Sequence, residues 1–285
     1  MNKFTRRTVI AAACAAAAMT FGPMSFAQQA PEKKDVTIAV GGKSLYYYLP
    51  LSIAEQLGYF KDEGLNVKIV DFQGGSRSLQ AVVGGSADVV SGAFEHTISM
   101  QAKKQPMTAF VLQGRAPQLA LVVSNKTMKD YKQLSDLKGK KVGVTAPGSS
   151  SQMVANFILK KGGLGPKDVA FIGVGSSSGA VSAIRSGQID ALINLDPVIT
   201  ILLKNGDAKL VADTRKVKES ESFFGGTMPA GCLYAPVSFI EKNPQTVQAL
   251  TNAIVRADEW LSKATPEEVA KVVPASYLMG NRDIY

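Results

Sequence analysis

The stretch Ser76–Val90, SRSLQAVVGGSADVV, recurs as Ser178–Leu192, SGAVSAIRSGQIDAL, at a constant offset of 102 residues. In each copy a serine precedes an apolar-periodic run, a glycine ends that run, and an aspartate leads into a short apolar segment. This order is typical of a loop, a helix, a glycine stop and a buried strand. The chain therefore carries one structural unit twice.

A similar strand-loop-helix-strand unit lies upstream of each copy. The four predicted strands are Val36–Val40, Val67–Val70, Lys141–Val144 and Val169–Val174, with helices predicted at about 51–60 and 151–161. Strands that alternate with helices of this length form right-handed βαβ units around a mainly parallel sheet. We predict an α/β protein of two similar lobes.

Two apolar runs are predicted to form a hinge of two strands. Leu119–Ser124 would pass from the first lobe to the second, and Gly231–Ala235 would return. We predict lobe 1 at 28–120 plus 236–285 and lobe 2 at 121–235. Because the chain stops where another helix is expected to begin, we also expect its C-terminus to be truncated.

The first 27 residues are expected to be a cleaved export signal. Lys3, Arg6 and Arg7 precede an uncharged run that ends at Phe21, and the small residues Ser25 and Ala27 suit a signal peptidase. The paired arginines fit a twin-arginine signal, and a general secretory signal stays open. The apolar run is too short to span a bilayer, so we expect a soluble mature protein.

Composition argues against several classes of function. The chain has 285 residues, 46% of them hydrophobic, which is enough for two cores. Without the basic residues of the signal the net charge falls from +9 to +6 and is spread over isolated side chains, which does not favour nucleic-acid binding. With His96 the sole histidine and Cys232 the sole cysteine after the signal, we expect no disulfide, metal or cofactor.

Two glycine-rich sequence motifs suggest hydrolase or nucleotide-binding functions that the rest of the chain does not support. Gly175–Gly179 matches the nucleophile elbow of α/β-hydrolases, but His96 precedes the serines, whereas that fold places its histidine after them. The spacing Gly-x-Gly-x-x-x-Gly from Gly173 departs from the dinucleotide fingerprint. Hydrolase and nucleotide-binding functions are therefore disfavoured.

Serine-rich loops that lead into helices are the main candidates for ligand binding. The N–H groups at a helix N-terminus lack partners and carry partial positive charge, so converging ends of this kind hold a carboxylate, sulfonate or phosphate. The alternative is that each serine caps its own helix. The candidates are Gly75, Ser76, Ser149, Ser150 and Ser177.

Two acids and a run of tyrosines complete the candidates. Glu95 and Asp196 follow equivalent strands, near the edge where open α/β sheets bind ligands, and would accept an amine or ring N–H. Both equally suit helix capping. Tyr46–Tyr48 follow the first strand, and we expect one of them to face a cleft. His96 is interpreted as structural.

Three segments resemble one family. They are IAEQLGYFKDEGL at 53–65, DLKGKKVGV at 136–144, and GQIDA at 187–191 with Asp196-Pro197. They resemble solute-binding proteins of ABC transporters of the sulfonate, nitrate and taurine type, related to thiamine-pyrimidine-precursor (NMT1/THI5-like) binders. The resemblance spans about 36–271 and implies a type II periplasmic-binding fold.

The resemblance also implies a site, a partner and a location. By position it places Ser44, Tyr46, Tyr47, Gly75, Ser76, Glu95, Ser149, Ser150, Ser177 and Asp196 around the cleft. Leu195 stands where sulfonate binders commonly have an aromatic residue, which weakens a strict alkanesulfonate assignment. We expect a periplasmic, monomeric, non-enzymatic receptor that delivers a small anionic or zwitterionic ligand to an ABC permease and ATPase. The alternative is a pyrimidine-precursor-related enzyme or hydrolase on a similar two-lobed fold.

Overall fold

A computed structural model describes residues 29–285; the expected export signal at 1–27 lies outside the described residues. The strands of this part are β1 Asp35–Val40, β2 Asn66–Asp71, β3 Val89–Ala93, β4 Met107–Leu112, β5 Ala120–Ser124, β6 Lys141–Val144, β7 Ala170–Gly173, β8 Ala191–Asn194, β9 Ala208–Asp213 and β10 Gly231–Pro236.

The helices follow the predicted alternation with the strands. They are α1 Leu49–Gln56, α2 Tyr59–Asp62, α3 Gly75–Val83, α4 Glu95–Ala102, α5 Ser150–Lys161, α6 Ser178–Ser186, α7 Val198–Lys204, α8 Val217–Phe224, α9 Val237–Lys242, α10 Pro244–Leu261 and α11 Pro266–Val272. Short 3₁₀ segments cover Tyr46–Tyr48, Leu134–Leu137 and Ala275–Leu278. Among the described residues, none of these helices has the length and apolarity to cross a membrane.

The strands form two five-stranded sheets of the same design, which confirms the two-lobed α/β prediction. Their orders are β2-β1-β3-β10-β4 and β7-β6-β8-β5-β9. In each sheet the first three strands are parallel, and the fourth, β10 or β5, runs antiparallel to both neighbours. The repeat in the sequence is therefore a repeat of sheets.

Strand β10 belongs to a different sheet from the one that the hinge prediction implied. Cys232 pairs with Gly92 of β3 and with Leu112 of β4, so β10 lies inside the first sheet. On sheet membership Gly231–Ala235 therefore goes with lobe 1, and the chain returns within 214–230. The other predicted lobe limits stay a prediction.

Burial of apolar side chains between the strands and the helices stabilises the βα units. Strands β3, β5 and β8 are buried along their whole length, as expected for strands covered by helices on both faces. Helix α10 presents an apolar stripe that includes Leu250 and Ile254, and it packs on α1. The loops that follow the parallel strands stay at one edge of each sheet, where side chains are free for function.

Candidate functional site

The serine loops of the two lobes are in direct contact. The Ser76 backbone N–H donates to Ser149 Oγ at 3.0 Å, and the Ser149 hydroxyl lies 3.2 Å from Ser76 Oγ. Ser76 Oγ in turn donates to the Pro147 carbonyl at 2.9 Å. Residues 73 positions apart thus bring the N-termini of α3 and α5 together.

Ser149 caps a helix, but the helix belongs to the other lobe. It occupies the N-cap position of α5, yet its side chain makes no capping bond to α5. Its oxygen instead accepts from an N–H in the first turn of α3, which has glycine at its own N-cap and no side-chain cap. The sequence left open self-capping or ligand contact for this serine; the structure adds a bond across the lobes.

Glycines allow a second close approach beside this contact. Gly42 has a φ of +109°, and a Cβ there would lie 2.2 Å from Ser176 Oγ. A Cβ on Gly74 would lie 2.8 Å from the Cβ of Ala146. Nearby, the Tyr46 N–H donates to the Asp196 carbonyl at 3.0 Å. A side chain larger than hydrogen at Gly42 or Gly74 would therefore force the facing loops of the two lobes to shift.

A cavity of about 180 Å³, lined mostly by residues with polar side chains, lies where α4 and α5 meet. At roughly 30 Å³ per water molecule in the liquid, this volume corresponds to about six waters, so it suits a small ligand. Its lining comes from both lobes: Glu95, His96 and Ser99 from α4, and Gly148, Ser149, Ser150, Gln152, Met153 and Asn156 from α5 and its preceding loop.

The N-terminus of α5 gives the cavity an electropositive wall without a cation. The first N–H groups of a helix have no intrahelical partner, and Ser149 does not cap them. Ser150 stands in this first turn and lines the cavity. The Gln152 side chain accepts from the Gly148 N–H at 2.7 Å and fixes the loop before the helix. This wall can hold an acidic oxygen.

Glu95 supplies a carboxyl group on the opposite wall. It is only 6% exposed, and burial raises its pKa to about 7, against the opposing effect of a hydrogen bond from its own backbone N–H. The group is therefore partly protonated near neutral pH. It can accept a hydrogen bond from a ligand N–H or, when protonated, donate one.

His96, interpreted from the sequence as structural, also lines the cavity. Its Nδ1 lies 2.9 Å from the Tyr234 hydroxyl, while Nε2 is buried and without a hydrogen-bond partner. Burial lowers the pKa of His96 to about 4, with an opposing contribution from the Gly148 backbone. The imidazole is neutral at physiological pH, and only one of its two ring nitrogens, Nδ1, makes a hydrogen bond of normal geometry within the protein.

The carboxylate of Asp196 is engaged within its own lobe. Oδ1 accepts from the Thr200 N–H at 3.0 Å and from the Thr200 hydroxyl at 2.7 Å. Oδ2 accepts from Arg215 Nη1 at 3.1 Å, and Arg215 also pairs with Asp213. Both oxygens therefore support the first turn of α7 and an ion pair, as the capping alternative expects. Asp196 is not among the residues that line the cavity.

The remaining candidates lie around the lobe junction or away from it. Tyr46 is half-buried, and its hydroxyl donates to the Tyr285 carbonyl. Tyr47 is buried in the core of lobe 1 with an edge-to-face contact to Tyr48.

Gly75 packs beside the His96 ring. Ser44 is half-buried, and Ser177 is exposed at the N-cap of α6 without capping it.

Of the candidates, Glu95, Ser149 and Ser150 line one cavity, and Gly75 and Ser76 lie beside it. Sequence reasoning missed His96, Ser99, Gln152, Met153 and Asn156 as lining residues. The N-cap position 149 and positions 152, 153 and 156 of α5 share one helical face, and this spacing was the signal that could have found three of them.

Comparison with known proteins identifies relatives that are named as a binding protein and as an enzyme. The chain is 25% identical over 276 residues to YtlA of Bacillus subtilis (strain 168), which is provisionally named a binding protein. The matched region covers 96% of this chain and 79% of YtlA. It is 24% identical over 233 residues to a 4-amino-5-hydroxymethyl-2-methylpyrimidine phosphate synthase of Candida albicans (strain WO-1), over 79% of this chain and 67% of that enzyme.

Solved structures share the fold. A protein of Bordetella bronchiseptica RB50 superposes with a TM-score of 0.89 at 62% identity, over 90% of this chain and 81% of that one. The periplasmic nitrate-binding protein NrtA from Synechocystis PCC 6803 superposes with a TM-score of 0.74 at 17% identity, over 90% and 70%. The sequence profile of the family described as NMT1/THI5 like matches residues 46–269, and the chain belongs to this family.

Proposed function

We propose that this protein is the solute-binding component of an ABC importer, which captures a small polar ligand between its lobes and delivers it to a permease. The observation that carries this proposal is the cavity whose lining residues come from α4 of one lobe and from α5 and its preceding loop of the other. A ligand held by both walls stabilises the closed form, and closure is what a receptor of this kind signals to its transporter.

The two walls suggest a ligand with two chemically different ends. The N-terminus of α5 with Ser150 favours an acidic oxygen, and Glu95 favours an N–H group. Neither lysine nor arginine is among the described residues that line the cavity, so the charge of an anion would be held by helix ends and hydroxyls. We propose a small organic anion or zwitterion such as a sulfonate or carboxylate.

A binding role fits the available side chains better than catalysis. The hydrolase alternative needs a serine next to a histidine. Ser177 is exposed at the start of α6 in lobe 2, whereas His96 lies in lobe 1, where its Nδ1 is 2.9 Å from the Tyr234 hydroxyl. The fungal synthases in the family share limited identity with this chain. We therefore propose that the protein binds its ligand without transforming it.

The proposed location is the periplasm. The expected N-terminal signal and the periplasmic nitrate-binding neighbour support it. The proposed partners are the small ligand and the permease-ATPase complex, with the protein acting as a monomer. Secretion of the full chain in a bacterial host, followed by N-terminal sequencing of the periplasmic fraction, tests this location. Retention of an uncleaved chain in the cytoplasm would contradict it.

The decisive experiment is ligand identification. Protein purified without denaturation is analysed by native mass spectrometry for a bound small molecule. Its melting temperature is then measured with nitrate, taurine, ethanesulfonate and 4-amino-5-hydroxymethyl-2-methylpyrimidine. A ligand at 100 times its Kd should stabilise the fold by about 2.7 kcal/mol and be recovered unchanged. Absence of any stabilising solute, or turnover of the solute, would refute the proposal.

A further inference from the structure

His96 and Tyr234 form a buried pair whose proton arrangement follows from their surroundings. His96 is 4% exposed and Tyr234 is fully buried. The hydroxyl of Tyr234 has a single hydrogen-bond partner among the described residues, which is His96 Nδ1 at 2.9 Å. A buried phenol proton needs an acceptor, so the Tyr234 hydroxyl donates and Nδ1 accepts.

This arrangement places the remaining ring proton on Nε2. The imidazole is neutral because burial, with the charge of Lys103 as a smaller cause, lowers its pKa, and the opposing effect of the Gly148 backbone is not enough to reverse this. A neutral ring with an accepting Nδ1 carries its hydrogen on Nε2. His96 therefore presents a buried N–H donor that makes no hydrogen bond of normal geometry and has only the Gly148 backbone as a weak neighbour.

Asn156 of the other lobe presents the complementary group. Its Oδ1 is also buried and unpartnered, and the residue lines the same cavity as His96. Buried polar groups in native proteins rarely stay unpaired, because the missing hydrogen bond is costly. Two such atoms, on residues that line one cavity from opposite lobes, are groups that a ligand in the cavity can satisfy.

We infer that His96 and Asn156 recognise the ligand together, His96 through its Nε2–H and Asn156 through its amide oxygen, so that with Glu95 on α4 and Ser150 on α5 each wall offers both a donor and an acceptor. The ligand class is a small molecule that carries a hydrogen-bond acceptor and an N–H donor. This inference rests on the proposed function and deepens it. Because one group lies on each lobe, a ligand satisfies both only when the lobes are closed, so these residues couple recognition to closure.

The ligand-independent test uses the fact that the chain has a single histidine. Protein with ¹⁵N-labelled histidine, purified without a histidine tag, gives one pair of ring-nitrogen signals. We expect the Nε2–H tautomer without titration between pH 5.5 and 8. Tyr234→Phe should abolish the tautomer preference. An Nδ1–H tautomer, or a midpoint near the ordinary histidine pKa, would overturn the inference.

The second test measures affinities for taurine and for ethanesulfonate, which lacks the amine. Removing one of these hydrogen bonds should weaken binding by about tenfold. His96→Leu should weaken both probes, His96→Gln should retain more affinity than His96→Leu, and Asn156→Ala should weaken taurine alone. Melting curves without ligand check that each variant folds.

The outcomes separate this inference from the proposed function. Tight binding of taurine that is unchanged in His96→Leu and Asn156→Ala would overturn the inference and leave the receptor function standing. Binding of neither probe would overturn the stated ligand class, while stabilisation by nitrate or the pyrimidine would still support a receptor. Stabilisation by none of the four solutes would overturn both.

Discussion

Replacing Glu95 by glutamine should stabilise the protein at alkaline pH and change it little at acidic pH. Glu95 is the first residue of α4 and is buried beside the cavity, where its neighbours include Tyr47, Tyr48 and Cys232. Burial raises its pKa from 4.5 to about 7. The unfolded chain therefore releases this proton at lower pH than the folded protein does.

The sign and size follow from the linkage between proton binding and folding. Because the folded-state pKa is the higher one, Glu95 favours folding fully below pH 4.5, and this contribution is lost as the pH rises to about 7. The raised pKa of this buried group then lowers the free energy of unfolding by about 3 kcal/mol at pH 8 and by about 1 kcal/mol at pH 5. Glutamine stays neutral, so Glu95→Gln should gain about 2.5 kcal/mol between these pH values.

The assay is thermal unfolding of both proteins at pH 5 and pH 8, followed by circular dichroism or calorimetry. For a protein of this size the gain corresponds to an extra rise in Tm of about 5–10 °C at pH 8. The loss that protonation of His96 causes at low pH is common to both proteins and cancels. Glu241→Gln, at an exposed position of α9, is the matched control and should show no such difference. An equal shift of Glu95→Gln at both pH values would refute the buried-carboxyl argument.

Three further substitutions test the lobe junction. Ser149→Ala removes the hydroxyl that accepts the Ser76 N–H across the lobes, so ligand affinity should fall about fivefold. Small-angle scattering should then show a larger radius of gyration, and an unchanged radius would contradict the interlobe bond. Gly42→Ala places a methyl group against Ser176, so scattering with ligand should show a protein that fails to close, and full closure would refute the steric argument. Asp196→Asn should lower stability by about 1–2 kcal/mol in urea unfolding with little change in ligand affinity, whereas a tenfold loss of affinity at unchanged stability would place Asp196 in the site.

The sequence was sufficient to predict the two-lobed architecture because local patterns encode it. The repeated units at Ser76 and Ser178 each signal a helix start, a glycine stop and a buried strand, and these signals act over fewer than about 15 residues. The position of Glu95 after a strand followed from the same logic, since the loops after parallel strands share one edge of a sheet.

Only the tertiary structure decided which groups meet and what each one does. The membership of Gly231–Pro236 in the first sheet depends on pairing with β3 and β4, which lie more than 100 residues earlier, and no local pattern specifies such a partner. Likewise, Ser149 caps α3 of the opposite lobe, and Asp196 is held by Arg215. Local sequence signals constrain backbone conformation, whereas hydrogen-bond partners, burial and the resulting pKa of Glu95 and His96 are set by contacts that form only when distant segments fold together.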